Sequence, residues 1–112
     1  MFTGIGRRNH MQAQVCLKQD DSVRTYGIRA TAVPYRDQIE QLLPSVESVV
    51  IDFGNRDATQ SFVDELIGAL VLRHGGQVMS KLIFEKCNDE VKAIIRFVVL
   101  DRIQQLSTRV AA

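Results

Sequence analysis

Ser61 lies at the end of a polar loop, where a segment with apolar residues at helical spacing begins. Its hydroxyl has two interpretations. As a helix N-cap it would accept a hydrogen bond from the backbone N–H of residue 63 or 64, with Asp64 completing a capping-box-like pair. As a phosphate acceptor it would place an anion at the positive end of a helix. The neighbouring Asp57, Asp64 and Glu65 would repel that anion, and such repulsion could itself act as a switch.

Asp64 and Glu65 are adjacent carboxylates, which raises the question of general acid–base catalysis. Neighbouring residues on a helix point about 100° apart, so the two carboxylates are not expected to face each other. Acids in a first helical turn stabilise the helix dipole, and we interpret the pair in that way. A small enzyme that uses either carboxylate stays an open alternative, which would require a concave pocket.

The remaining reactive side chains do not form a metal or cofactor site. His10 and His74 lack a second ligand at metal spacing, and Cys16 and Cys87 lie in apolar, strand-like segments typical of small buried hydrophobes. The "GIGRRNHM" stretch lacks the third glycine and the preceding strand of a dinucleotide fingerprint. We therefore predict no metal and no cofactor.

The length and net charge of the chain limit the number of domains and the kinds of partner that we expect. The chain has 112 residues and a net charge of +1, which predicts one domain and does not favour nucleic acid as a partner. No apolar run reaches the ~18 residues of a membrane span, so we expect a cytoplasmic protein. Residues 1–11 are predicted to form a flexible arm, and residues 12–112 a single domain.

Hydrophobic periodicity predicts an α/β fold with the order β-β-α-β-α-β-α. Alternating patterns at 12–18 and 23–28 predict two strands that pair as a hairpin, and a helix should then begin near Ala32 or Val33 and stop at Pro44. Apolar runs at 48–53 and 81–87 predict buried strands, and the helices that follow them are bounded by "HGG" and by an Asn88 cap. Four strands would then form one mixed sheet with three helices.

The last predicted helix is apolar on more than one side. Val91, Ile94, Ile95 and Val98 form the expected inward stripe. Further apolar residues on the same helix are Phe97, Val99, Leu100 and Ile103. This extra surface indicates either contact with a partner or a second copy of the chain, or cover by the amino-terminal arm or the first hairpin.

The segment "VVIDFGNRDATQSFVDELIGAL" and the order of elements resemble the STAS superfamily, the domains of sulphate transporters and anti-sigma-factor antagonists. The stretches "IDF", "SFVDELIGAL" and "LIFEKCNDEVKAII" are similar, more narrowly, to a family of small bacterial STAS-like domains with a "DF…SFADEL" segment. The resemblance extends over roughly residues 23–102 and implies a STAS-like fold.

The resemblance also implies a site. In anti-sigma-factor antagonists an acidic or amide residue stands where Asp52 is, and a serine nine residues later, here Ser61, is phosphorylated by an ATPase-type kinase. The usual aspartate–serine–serine–glycine run reads "QSFV" here. By this analogy the partner-contact surface would comprise Asp57, Thr59, Ser61, Phe62, Asp64 and Glu65.

Together these observations predict a non-enzymatic regulatory domain that binds an ATPase or histidine-kinase-type protein, or an anti-sigma-like regulator, around Ser61. The alternative is a structural adaptor or oligomeric subunit of a bacterial effector or phage-defence complex, with its contacts on the last helix.

Overall fold

The computed structural model of the chain describes residues 12–17 and 25–111, the last three through their backbone alone. The first eleven residues, predicted to form an arm, and the turn predicted around 19–22 lie outside these ranges. The strands are β1 (Gln12–Cys16), β2 (Thr25–Tyr26), β3 (Ser48–Asp52), β4 (Asp57–Ala58) and β5 (Leu82–Glu85). The α-helices are α1 (Arg29–Leu42), α2 (Gln60–Val63), α3 (Ala69–His74) and α4 (Asp89–Ala111).

Three shorter helical segments connect these elements. A π-helical turn, Asp64–Gly68, continues α2 directly into α3. Two 3₁₀ segments, Leu43–Ser45 and Gly76–Lys81, lead into β3 and β5. The predicted second helix is therefore one continuous run that is widened in the middle. No helix in the described part of the chain is long and apolar enough to cross a membrane.

The sheet differs from the prediction in its pairing. β3 lies at the centre with β1 and β5 on either side, and both pairs are parallel, with Val15, Ile51 and Phe84 in register. β2 instead forms a separate parallel pair with β4. The predicted hairpin and the single mixed four-stranded sheet are therefore wrong, because periodicity identifies a strand without identifying its partner. Parallel pairing with β3 places Val15 and Leu17, each at most 1% exposed, in the core.

The core lies between one face of the sheet and the helices. Val49 and Ile51 of the central strand, and Phe53 directly after it, are fully buried in the same cluster as apolar residues from every α-helix. On the opposite face of the strand, Val50 is outside that cluster and lies in register between Gln14 and Ile83. Each fully buried apolar side chain contributes about 1.5–3 kcal/mol to folding, so this one-sided cluster is the main source of stability.

The end of α3 and the start of α4 agree with their local signals, and the start of α1 does not. α3 ends at His74, where Gly75 adopts a φ of +86°, and Asn88 Oδ1 accepts a hydrogen bond from the N–H of Val91 at 2.8 Å, as the sequence predicted. α1, however, begins at Arg29 rather than near Ala32. Pro34 therefore lies in the second turn, where it leaves one carbonyl without its helical donor.

Candidate functional site

The candidate site is the segment Asp57–Ser61, which we call the β4–α2 corner. It follows the carboxyl end of the central strand through a tight turn, in which Gly54 and Asn55 both have positive φ. Asp52, 8% exposed, accepts a hydrogen bond from the N–H of Gly54 at 2.7 Å. Asp52 therefore fixes the turn that presents the corner.

The β4–α2 corner lies beside the start of α1. β2 and β4 are parallel, so the helices that follow them begin on the same side. The Thr59 N–H donates to the carbonyl of Tyr26 at 2.9 Å, and the Thr59 hydroxyl donates to the carbonyl of Gly27 at 3.0 Å. Neither α1 nor α2 has an acidic residue in its first turn, so two positive helix ends meet at the corner.

Thr59, and not Ser61, is the N-cap of α2. Its hydroxyl accepts a hydrogen bond from the N–H of Phe62 at 3.2 Å, and its backbone is still extended, with φ −83° and ψ 162°. Our assignment of the cap to Ser61 is therefore wrong. Both residues are N-cap formers, and only the pairing of the preceding residues with β2 places the boundary at Thr59.

Ser61 is exposed in the first turn of α2. Its hydroxyl makes no hydrogen bond within the described part of the chain. Asp57 is also exposed and accepts a hydrogen bond from Asn88 Nδ2 at 2.8 Å. Because Asn88 also caps α4, it connects the β4–α2 corner to the last helix.

Phe62 does not have the surface position that a partner contact requires. Its side chain is 0% exposed and stacks on Tyr26, with ring centroids 5.2 Å apart and an interplanar angle of 26°. The expectation that Phe62 touches a partner is therefore wrong. Its role is to fix the underside of the β4–α2 corner to β2.

Asp64 and Glu65 begin the π-helical turn, and both are held by arginines. Arg29 Nη1 lies 3.0 Å from Asp64 Oδ2 and 3.4 Å from Glu65 Oε1, so one guanidinium reaches both carboxylates. Asp64 is also paired with Arg102 of α4, and Glu65 with Arg36 of α1. The side chains of Asp64 and Glu65 are only 16% and 19% exposed. They therefore link helices through ion pairs and are not accessible contact residues.

These contacts belong to a longer network that we call the ion-pair chain. Arg36 is only 8% exposed. Its Nη2 also pairs with Asp37 Oδ1 at 3.2 Å, and its Nε lies 4.0 Å from Glu40 Oε1. Glu40 in turn contacts Arg73 Nη1 at 2.8 Å and His74 Nε2 at 2.9 Å. The ion-pair chain thus fixes α1 to the π-helical turn and to the end of α3. The i, i+4 spacing of Arg36 and Glu40 was the available sequence signal for it.

Ile28 is a member of the site that the sequence reasoning missed. It is the N-cap residue of α1 and follows Gly27, the residue that Thr59 contacts. Its side chain is 67% exposed, more than any other large hydrophobic residue in the described ranges. An exposed isoleucine thus lies beside the polar β4–α2 corner.

The structure places the metal-ligating and thiol side chains of the described residues as follows. Within residues 12–17 and 25–111, no three His, Cys, Asp or Glu residues are grouped so that they could hold a metal ion. Cys16 is exposed on β1, so the interpretation of both cysteines as buried hydrophobes is wrong for this one. Cys87 is partly buried, and this burial raises the pKa of its thiol to about 11.

Comparisons with known proteins place the chain in a family. The family model described as the STAS-like domain of unknown function (DUF4325) matches residues 32–92, which include β3, the β4–α2 corner and the start of α4. Neither the comparison with curated proteins nor that with solved structures found a match. Since the matched segment is more than half of the chain, the protein belongs to this family of STAS-like domains.

Proposed function

We propose that this STAS-like domain is a non-enzymatic regulator in the cytoplasm that binds a protein partner through the β4–α2 corner. The partner would be an ATPase or histidine-kinase-type protein, or an anti-sigma-like regulator. The observation that carries the proposal is the exposed polar segment of Asp57, Thr59 and Ser61 beside the exposed Ile28.

Rigidity supports this assignment. The main chain and side chain of Thr59 together make four hydrogen bonds, with Tyr26, Gly27, Phe62 and Val63. Immobilising side chains and loops on binding costs affinity, and a segment that is already fixed avoids most of that cost. The β4–α2 corner can therefore engage a partner with little rearrangement.

The composition of the β4–α2 corner also supports its assignment as a binding surface. The centre of a protein interface is enriched in apolar side chains, and its rim is polar. Ile28 supplies an apolar anchor, while Asp57, Gln60 and Ser61 supply exposed polar groups around it. Phe62 is buried beneath these residues, and Asp64 and Glu65 form ion pairs with α1 that fix the π-helical turn after α2. The proposed contact set is therefore Ile28, Asp57, Thr59, Gln60 and Ser61.

Ser61 is the proposed regulatory position. A phosphate there would add about −1.5 to −2 charges at neutral pH. The carboxylate of Asp64, three residues later, is already paired with Arg29 and Arg102. Repulsion would therefore come mainly from Asp57, which forms no ion pair within the described residues. The added charge would then change partner affinity without unfolding the helix.

The experiment begins with isolation of partners from the native host on the immobilised domain, followed by affinity measurement with the purified partner. Ser61→Asp should weaken binding at least tenfold, and Ser61→Ala should bind within about twofold of the wild type, a difference below 0.5 kcal/mol. Ser80→Asp, at an exposed serine of the 3₁₀ segment before β5, is the matched control. Equal affinity for Ser61→Asp and Ser80→Asp would refute the site assignment.

A second candidate function is favoured by a separate observation on α4. Phe97 and Leu100 are 56% and 60% exposed, although the opposite side of the same helix is packed in the core. A structural adaptor or an oligomeric subunit of an effector or phage-defence complex would use this surface. In that case substitutions of Phe97 and Leu100, and not of Ser61, would abolish assembly.

A further inference from the structure

Arg29, the first residue of α1, has an unused edge on its guanidinium group. Its side chain is 50% exposed, and it lies 3.0 Å from Asp64 Oδ2 and 3.4 Å from Glu65 Oε1. Both contacts are made by Nη1. Nε and Nη2 form no hydrogen bond or ion pair with any of the described residues. The side of the guanidinium that carries Nε and Nη2 is therefore open to a further acceptor.

The open edge of Arg29 has the geometry of a carboxylate site. The N–H groups of Nε and Nη2 lie in one plane and point in the same direction, so together they can bind both oxygens of a planar carboxylate. Such paired hydrogen bonds between charged groups are shorter and stronger than those between neutral groups. An acidic side chain that approaches α1 from solvent can therefore be held by two hydrogen bonds.

Arg29 can serve such an acceptor because the two carboxylates that it contacts do not depend on it. Asp64 is also paired with Arg102 of α4. Glu65 is also paired with Arg36 of α1. The side chains of Arg102 and Arg36 are only 18% and 10% exposed, so these are the inner partners and Arg29 is the outer one. A shift of Arg29 toward a ligand would leave neither carboxylate without a cation.

The charges around Arg29 favour an acidic ligand. The first turn of α1 contains no acidic residue, so the positive end of the helix dipole adds to the charge of the guanidinium. Asp57, the exposed acid of the β4–α2 corner, is bonded instead to Asn88 at the start of α4. The start of α1 therefore presents a positive charge directly beside the exposed side chain of Ile28.

We propose that the partner of the β4–α2 corner presents an acidic side chain next to an apolar one, that the acidic group binds the Nε–Nη2 edge of Arg29, and that the apolar group packs on Ile28. This inference rests on the proposed function and names the chemistry of its partner. Arginine is enriched among the residues that carry most of the binding energy of an interface, and complementary charge selects between partners. Arg29 is thus the specificity-determining residue beside the corner.

The same contact explains how a charge at Ser61 would act. Ser61 and Asp64 are three residues apart in the helical run that begins with α2, so their side chains are neighbours on its surface. Because Arg29 contacts Asp64, a negative group at position 61 would lie close to the Arg29 guanidinium. It would compete with the acidic group of the partner for Arg29 and would also repel it. Added negative charge at position 61 should therefore weaken binding.

Peptide selection tests the chemistry of the partner without the native partner. A library of random peptides is selected on the wild-type domain, and the affinities of the enriched peptides are measured by fluorescence anisotropy. These peptides should carry Asp or Glu beside an apolar residue, and Arg29→Gln should weaken them at least tenfold. Arg29→Lys keeps the charge but lacks the two-donor edge, so it should recover only part of the loss.

Arg73→Gln is the matched control for Arg29→Gln. The Arg73 side chain is 51% exposed and is paired with Glu40, so this variant also removes a half-exposed ion pair, and its affinity for the peptides should stay within about twofold of the wild type. Three outcomes would overturn the proposal: enriched peptides without an acid, acidic peptides that bind Arg29→Gln as tightly as the wild type, and a selection that enriches no peptide.

The purified native partner tests the link between Arg29 and Ser61. Ser61→Asp should weaken its binding at least tenfold in the wild-type background and by less than about threefold in the Arg29→Gln background, because the competition for Arg29 is then absent. If Ser61→Asp weakens the partner but Arg29→Gln does not, this inference is wrong and the proposed function stands. Peptides that need Arg29, together with a partner that tolerates Ser61→Asp, would refute the role of Ser61 and leave the acidic contact intact.

Two other sources of the acidic group would give different results. If the acid came from a second copy of the chain, sedimentation velocity would show a dimer at high concentration that Arg29→Gln abolishes. If it came from another segment of the same chain, that segment would already occupy Arg29, and acidic peptides would not be enriched. Either result would overturn the proposal.

Discussion

The Thr59 hydroxyl lies 3.0 Å from the carbonyl oxygen of Gly27, a contact that joins the start of α2 to the end of β2. The same hydroxyl accepts a hydrogen bond from the N–H of Phe62 at 3.2 Å. The Thr59 side chain therefore caps α2 and also links it to Gly27, the residue that follows β2. This relationship places the exposed Ser61 in the first turn of α2 and fixes the surface around it.

Thr59→Ala should destabilise the fold more than Ser61→Ala, although both remove a hydroxyl. Loss of the cap costs about 1 kcal/mol and loss of the bond to Gly27 about another 1 kcal/mol, whereas Ser61 caps nothing and its loss should cost less than about 0.5 kcal/mol. Urea denaturation measures both differences. Thr59→Ser keeps the hydroxyl and should recover most of the loss. Equal destabilisation by the two alanine variants would contradict the assignment of the cap.

Arg36→Ala should be far more costly than Arg73→Ala. Arg36 has a 10% exposed side chain, and its removal deprives the part-buried Glu65 of a partner, which we expect to cost about 2–3 kcal/mol. Arg73 has a 51% exposed side chain, and its pair with Glu40 should contribute less than about 1 kcal/mol. Thermal and urea unfolding of the two variants make the comparison. A cost for Arg36→Ala as small as that for Arg73→Ala would show that the ion-pair chain does not hold α1.

Gly68→Ala should disturb the packing of α4 on the π-helical turn. A Cβ at position 68 would lie 2.5 Å from Asp64 Oδ1 and 3.0 Å from Val98 Cγ1. Asp64 is paired with Arg102 and Val98 is in the core, so neither side chain can move freely, and we expect a loss of about 1–3 kcal/mol. Gly27→Ala is the control, since its nearest contact, Thr59 Cγ2, would be an ordinary 3.5 Å. If both variants are equally stable, the close approach at Gly68 is not required.

Cys87 should react with iodoacetamide much more slowly than Cys16 near pH 8. Burial raises the pKa of the Cys87 thiol from 9.0 to about 11, which lowers its thiolate fraction near pH 8 about a hundredfold. Its labelling rate, followed by mass spectrometry in a Cys16→Ser background, should rise steadily up to about pH 11. A plateau below pH 10 would contradict the raised pKa.

The same shift has a consequence for stability. Because the folded pKa of Cys87 lies above the unfolded one, the protonated thiol stabilises the fold below about pH 9. This contribution should disappear as the pH rises from about 9 through 11. Cys87→Ser, measured across the same range, should show a flatter decline than the wild type.

Local signals predicted the elements that depend on few distant contacts. The apolar stripe that includes Phe62, Leu66 and Leu70 is fully buried, and Asn88 caps the last helix as its position suggested. The apolar run before Asp52 is the central strand. Each of these features is encoded within a few neighbouring residues, because helical period, caps and buried strands are properties of short segments.

Partners that are distant along the chain were decided by the tertiary structure. Periodicity could not show that β1 pairs with β3 and β2 with β4, since strand register depends on how the crossover helix packs. The contacts of Arg29 and Arg102 with Asp64 join residues 35 and 38 positions apart, which no local pattern reveals. The sequence by itself determined most of the helices and strands and which faces are apolar, but it did not predict β4, which the sequence analysis placed in a polar loop. Only the tertiary structure decided which hydroxyl caps α2, which carboxylates are neutralised, and that Ile28, Phe97 and Leu100 are exposed in the described part of the chain. These features depend on what lies opposite each side chain in space.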